Sequence, residues 1–186
     1  MAKALRTPQR KQEYLSRVIT LGEIDNENAC EVIGLIYEIN VEDRNKAEEN
    51  REPIKLILNS PGGDVYDGMG IVDAIEQSIT PIHMYIHGYA MSMGFAIATC
   101  GSYRYASKRA TFMYHEMSWN TGQEKMKYHE QELNEGKRLW KVYDNIIVQN
   151  TEISLKTLQA VRKEQKEWYM DAKQALALGI IDEILE

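Results

Sequence analysis

The chain has 186 residues, 44% of them hydrophobic and 27% charged, with 12 Gly and 4 Pro. That is one domain of ordinary size, able to bury a core without disulfide or metal staples, and the composition excludes disordered, collagen-like and disulfide-framework classes. Acidic residues number 28 against 22 basic ones, a net charge of −6, which excludes nonspecific nucleic-acid binding and argues against an anionic membrane surface as partner.

The two cysteines, Cys30 and Cys100, form no C-x-x-C pair and no zinc-spaced cluster with histidine. Both lie in apolar stretches and are expected to be reduced core thiols. Residues 1–15 are basic and polar, without the apolar stretch of a secretory signal. No run approaches the ~18 apolar residues of a membrane span. A cytoplasmic address, no membrane partner, no metal and no cofactor are the resulting expectations.

In chain order, residues 1–15 read as an arm that orders only when tied down. A short strand is predicted at 17–21. Ala29, Val32, Ile33, Ile36 and Ile39 recur at helical spacing, so a helix is predicted over 28–41. The charged stretch 42–52 has no period and reads as solvated surface. A buried strand at 54–58 is stopped by the turn cluster Asn59-Ser60-Pro61-Gly62-Gly63. A helix follows over 64–79, with Val65, Met69, Val72, Ile75 and Ile79 inward.

A second strand at 82–87 is ended by Gly88, and a helix over 92–100 is closed by Gly101. Short strands are predicted at 103–105 and 111–114. A long helix over 124–148 turns Met126, Leu133, Trp140, Tyr143 and Ile147 inward. Ser154 and Asp171 read as N-caps of two further helices. Gly179 stops the last helix, and 180–185 is a candidate closing strand. Strand–turn–helix units alternating in this way predict an α/β fold with mostly parallel strands.

Two loops carry residue types suited to chemistry. In Asn59–Gly63, paired glycines bare backbone N–H groups at a helix start, where an oxyanion can be held; the same sequence is also an ordinary turn. In 88–94, Ser92 sits where a strand gives way to a helix, the arrangement of a nucleophile elbow, although A-x-S-x-G lacks the first glycine of G-x-S-x-G. Ser92 equally reads as a plain N-cap. Of the histidines at 83, 87, 115 and 129, His83 and His87 share a strand face and His129 falls on the exposed side of the long helix. His115 ends a strand, where catalytic groups favour a rigid scaffold.

Taken together, these residues resemble the Clp protease proteolytic subunit. Asn59-Ser60-Pro61-Gly62-Gly63, Met91-Ser92-Met93-Gly94, Met113-Tyr114-His115 and the tail from Asp171-Ala172 to Leu178-Gly179-Ile180-Ile181-Asp182 carry the likeness. It runs over about 17–185. The resemblance implies a crotonase-like spiral of β-β-α units with a protruding long helix, spanning 16–186 after the 1–15 arm. It implies an intracellular serine endopeptidase with Ser92 as nucleophile, His115 as base, and Gly63 and Met93 as the oxyanion-hole donors. It also implies unfolded protein or short peptides as substrate, stacked and heptameric rings as assembly, and an AAA+ unfoldase as partner.

The sequence departs from the family pattern at three places. Counting back from Leu178-Gly179, the third triad position falls on Glu167, where the family has Asp; Asp171 is the neighbouring alternative. Residues 116–122 carry one glycine and no proline, where the family has proline and a glycine-rich stretch. The N-terminal arm is short and polar. A non-catalytic ring subunit and an acyl-CoA-processing crotonase are the competing readings, and the Ser92–His115 pair argues against both.

Overall fold

A computed structural model describes residues 8–116, 126–164 and 166–186. Helix α1 (Pro8–Ser16) leads into β1 (Val18–Leu21), α2 (Asn26–Asp43), β2 (Ile54–Ser60), α3 (Val65–Glu76), β3 (Ile82–Met91) and α4 (Met93–Ala98). Then come β4 (Tyr103–Ser107), β5 (Thr111–Tyr114), α5 (Met126–Asn150), α6 (Leu155–Lys163), β6 (Trp168–Asp171), α7 (Ala172–Ala177) and β7 (Glu183–Leu185).

The seven strands form one sheet in the order β1-β2-β3-β4-β7, with β5 pairing both β3 and β6. Every pairing is parallel except β5 with β6. The fold is therefore α/β with a parallel-dominated sheet, as expected. Parallel strands lie under helices and are rich in aliphatic residues. In β2, Ile54, Leu56 and Leu58 are fully buried, and each such side chain contributes roughly 1.5–3 kcal/mol by leaving water. Leu35, Ile36 and Ile39 of α2 and Ile71 and Val72 of α3 are buried in the same core.

Strand β3 positions the site, because it changes neighbour partway along. Residues 83–86 pair with β4, and residues 89–91 pair with β5. Between them Gly88 takes φ +77. A Cβ there would lie 2.6 Å from Asn59 Oδ1, so the turn of the strand needs glycine. The sequence reading ends the strand at this glycine; the structure carries it on to Met91.

Other differences have local causes. Residues 8–16 of the N-terminal arm form a helix, and Tyr14 packs on the core with its hydroxyl donating to Glu42 across 2.8 Å. The charged stretch after α2 is not wholly solvated. Asp43 is fully buried, gripped by both terminal nitrogens of Arg17 at 2.7 Å and by the Thr80 hydroxyl at 2.8 Å. Ile79 and Leu133 are exposed, because α3 stops at Glu76 and Leu133 lies on the outer side of α5.

Cys30 is exposed rather than a core thiol, one residue past the buried Ala29 on α2. Cys100 is half-buried, and burial pushes its thiol up to about 12. Strand β6 was not anticipated; it is four residues long and runs straight into α7. Residues 117–125, with most of the departing 116–122 segment, and the side chains of Met126 and His129 lie outside the described residues. Among the described residues no helix is long and apolar enough to cross a membrane.

Candidate active site

Parallel pairing of β3 with β5 brings Ser92 and His115 together. Met91 is in register with Met113, and the Ser92 N–H donates to the Met113 carbonyl across 3.0 Å. Each strand then ends, and the next residues leave the sheet at its carboxyl edge, where ligands of open α/β sheets gather. Ser92 Oγ lies 2.8 Å from His115 Nε2.

Ser92 has φ +53 and ψ −126. A non-glycine residue in this region stores about 1–3 kcal/mol of strain and persists only where the surroundings hold it. The residue stands at the N-cap position of α4, yet its side chain makes no capping hydrogen bond. Its hydroxyl is turned to His115 instead. Ser92 therefore departs from the plain N-cap that its sequence position also allowed.

The glycine turn abuts this elbow. Gly62 and Gly63 take φ +99 and +147. A Cβ on Gly62 would lie 2.6 Å from Ser92 Cβ and 3.2 Å from Met93 N, and one on Gly63 would lie 2.0 Å from the Ile24 carbonyl oxygen. Gly63 forms an isolated bridge with Ile24, whose N–H donates to Gly62 O at 2.9 Å. Ser60, fully buried, accepts from the Gly62 N–H at 3.1 Å and lies against Gly94, whose added Cβ would meet it at 2.9 Å. Met93 opens α4, so its N–H has no partner within the helix.

The antiparallel β5–β6 ladder bears on the third residue. Tyr114 faces Trp168 and Thr111 faces Asp171. Continued by one step, the register sets Glu167 opposite His115. Asp171 is four rungs away, roughly 13 Å at ~3.3 Å per residue. Asp171 is engaged as the N-cap of α7: it accepts from Gln174 N at 2.8 Å, and Gln174 Oε1 accepts from Asp171 N at 3.0 Å, a capping box. Glu167 is exposed, and its Oε2 accepts from the Tyr169 hydroxyl at 2.8 Å.

The two other histidines whose side chains are described face β4. His83 is in register with Tyr103, and burial, then the Lys55 charge, lowers its pKa below the usual histidine value. His87 Nδ1 lies 2.6 Å from Ser107 Oγ. Among the described residues no group of three or more His, Cys, Asp or Glu could hold a metal ion.

Behind the Ser–His pair stands a buried polar cluster, of which the sequence reading places only Tyr143 inward. The Tyr143 hydroxyl donates to the Ser92 carbonyl at 2.9 Å. Its ring stacks on Tyr114, centroids 5.7 Å apart. The Tyr114 hydroxyl donates to Asp144 Oδ1 at 2.9 Å, and Arg162 donates to both Tyr114 and Asp144. Burial, with Asp144 nearby, pushes both phenols above their ordinary value, so they remain donors. Adjacent Tyr and Asp at 143–144 in a long helix gave a faint signal, since buried tyrosines need hydroxyl partners. The Ser60 role had no signal beyond its place in the turn.

The family model described as Clp protease matches residues 10–186. A protein of Psilotum nudum is 34% identical over 175 residues, which cover 91% of this chain and 83% of the relative. One of Streptococcus mutans is 32% identical over 143 residues, covering 75% and 72%. One of Streptococcus pyogenes is 30% identical over 177 residues, covering 91% and 85%. Each of the three is named an ATP-dependent Clp protease proteolytic subunit.

Proposed function

The chain belongs to the Clp protease family, and we propose that it is a serine endopeptidase in which Ser92, His115 and Glu167 form the catalytic set. The observation that carries the reading is the 2.8 Å contact of Ser92 Oγ with His115 Nε2 on a strained elbow. A hydroxyl and an imidazole nitrogen at this distance have the geometry of a nucleophile and its general base.

In this reaction Nε2 of neutral His115 takes the Ser92 proton as Oγ attacks the peptide carbonyl carbon. The carbonyl π electrons move onto oxygen, and the N–H groups of Met93 and Gly63 stabilise that oxyanion. Collapse of the tetrahedral intermediate breaks the C–N bond, and the imidazolium gives its proton to the departing amine. Water, deprotonated by His115, then attacks the acyl–Ser92 ester; collapse of the second intermediate expels Ser92 Oγ, which takes back the proton. Glu167 accepts from His115 Nδ1–H, which keeps Nε2 free to act as base. The one-step register between them supports this assignment over Asp171. For the pair to meet, the Glu167 carboxylate swings from Tyr169 to the imidazole.

The substrate is unfolded protein or short peptide. The subunit works inside stacked heptameric rings in the cytoplasm, fed by an AAA+ unfoldase. The relatives' name, an ATP-dependent proteolytic subunit, supports the partnership. Purified protein and Ser92→Ala assayed on a fluorogenic peptide test the activity. Triad knockouts cost on the order of 10⁶ in turnover, so Ser92→Ala retains background hydrolysis only. If it keeps more than a few per cent of activity, Ser92 is not the nucleophile. A ring subunit without peptidase activity predicts no difference between the two.

A further inference from the structure

We propose that Tyr143 is a positioning residue that aims the Met93 N–H of the oxyanion hole, by holding the carbonyl at the other side of the same peptide plane. The proposal rests on the reading of Ser92 and Met93 just given. It deepens that reading by naming what fixes the donor.

The Ser92 carbonyl and the Met93 N–H belong to one peptide unit. A trans peptide is planar, with its C=O and N–H pointing in opposite directions. Whatever fixes the Ser92 carbonyl therefore fixes the direction of the Met93 N–H. That carbonyl accepts two hydrogen bonds, from the Phe95 N–H at 2.9 Å and from the Tyr143 hydroxyl at 2.9 Å. The first is local to the turn and belongs to the start of α4. The second comes from α5, 51 residues along the chain, and ties the elbow to the body of the protein.

The elbow needs such an outside restraint. Ser92 sits at φ +53, a conformation an L residue leaves unless something holds it. A rotation of this one peptide would swing the Met93 N–H away from the reacting carbonyl without unfolding any element. Tyr143 opposes that rotation from a fixed place. It is 3% exposed, and its ring lies 19° from parallel to that of Tyr114, the residue just before His115. Tyr114 is in turn held by Asp144, the next residue of α5, which is 2% exposed and paired with Arg162. Adjacent side chains of one helix thus brace the carbonyl of Ser92 and the neighbour of His115.

There is an electronic consequence as well. A hydrogen bond accepted by an amide oxygen polarises that amide and strengthens its N–H as a donor. Tyr143 therefore both aims the Met93 N–H and sharpens it toward developing negative charge. The phenol is suited to the task, since burial keeps it protonated.

The test uses the full chain and Tyr143→Phe, which keeps the stacked ring and deletes only the hydroxyl. With a fluorogenic peptide, kcat falls about tenfold, the size expected when one buried acceptor loses a partner, while KM stays within about twofold. A merely structural tyrosine would lower the melting temperature and leave kcat per active site unchanged, and that result overturns the proposal. A second measurement does not depend on activity. In a Ser92→Ala background the carbonyl is still present, so adding Tyr143→Phe raises amide hydrogen exchange in a peptide covering 91–97 by about tenfold. Unchanged exchange there overturns the tether. If the unaltered protein shows no peptidase activity, the serine-peptidase reading fails, and the exchange experiment still decides whether Tyr143 restrains the elbow.

Discussion

The Tyr169 hydroxyl of β6 donates to the carboxylate of Glu167, the residue just before that strand, across 2.8 Å. Glu167 is the residue just before Trp168, whose register partner is Tyr114, the residue just before His115. The proposed turn of Glu167 toward His115 would give up the Tyr169 hydrogen bond, whereas Asp171 is committed to the start of α7.

Glu167→Gln is expected to lower kcat by at least about 10²-fold. Removing the orienting carboxylate while keeping shape cost about 10⁴ in a well-studied triad, and an exposed Glu orients less firmly than a buried Asp. Asp171→Asn keeps near-full activity, because Asn caps a helix as well as Asp does. Steady-state kinetics on a fluorogenic peptide separates them. An inactive Asp171→Asn beside an active Glu167→Gln would move the third role to Asp171.

Gly62→Ala tests the close approach of the turn to the elbow. The new methyl would meet Ser92 Cβ at 2.6 Å, at a φ of +99. The variant is expected to lose stability by about 1–3 kcal/mol from backbone strain, and to lose most of its kcat because the methyl presses on Ser92. Gly70→Ala is the control. Its Cβ would meet only the tip of Ile33 at 3.3 Å inside α3, and alanine is the better helix former by up to ~1 kcal/mol. Melting curves and kcat of the two variants, measured side by side, check the contrast.

How much of this was legible in the sequence follows from where each signal lies. The glycine turn, Ser92 and His115 each sit at the end of an apolar strand, so the local pattern placed all three at the sheet's carboxyl edge. The Asp171 cap was legible for the same reason, since capping chemistry is local. Strand β6 was hidden because Trp168-Tyr169-Met170 is too short to show a period, and only pairing with β5 makes it a strand. The continuation of β3 past Gly88 depends on a partner change that no single strand encodes. The Tyr143 contact with Ser92 joins residues 51 apart and needs the packing of α5 to exist at all. Asp43 fell in the stretch read as solvated surface because its partner Arg17 lies 26 residues away in the chain.

That buried pair gives a pH prediction. The Arg17 guanidinium, aided by Lys46 and Thr80, holds the Asp43 carboxyl well below its usual value, against the cost of burial. A carboxylate whose pKa is lowered by folding contributes stability that is complete above the unfolded value of 3.8 and is lost as pH falls below it. Urea midpoints are therefore expected to drop on acidification from about pH 5 toward pH 2, and to drop less in Asp43→Asn, which has no carboxyl to protonate. Arg17→Met, which leaves the buried Asp43 with Lys46 as its remaining cation, is expected to cost up to about 3 kcal/mol at pH 7. An Asp43→Asn curve parallel to that of the unaltered protein would show that the pair contributes nothing to acid sensitivity.

Assembly into rings predicts a particle many times the 21.5 kDa of one chain. Sedimentation velocity at micromolar concentration checks it. Ser92→Ala is expected to sediment identically, since the hydroxyl is engaged with His115 within the chain. A stable monomer would remove the compartment that the proposed peptidase needs.

The central claim is that Ser92 is a nucleophile activated by His115, and covalent labelling with a fluorophosphonate tests it most directly. Incubation of the full chain with the probe, followed by intact mass and peptide mapping, is expected to show one adduct per chain on Ser92. The adduct is expected to be absent in Ser92→Ala and to form at least about 10³-fold more slowly in His115→Ala, where the general base is missing. An unmodified folded protein after prolonged exposure, or an adduct mapped to another residue, would contradict the account.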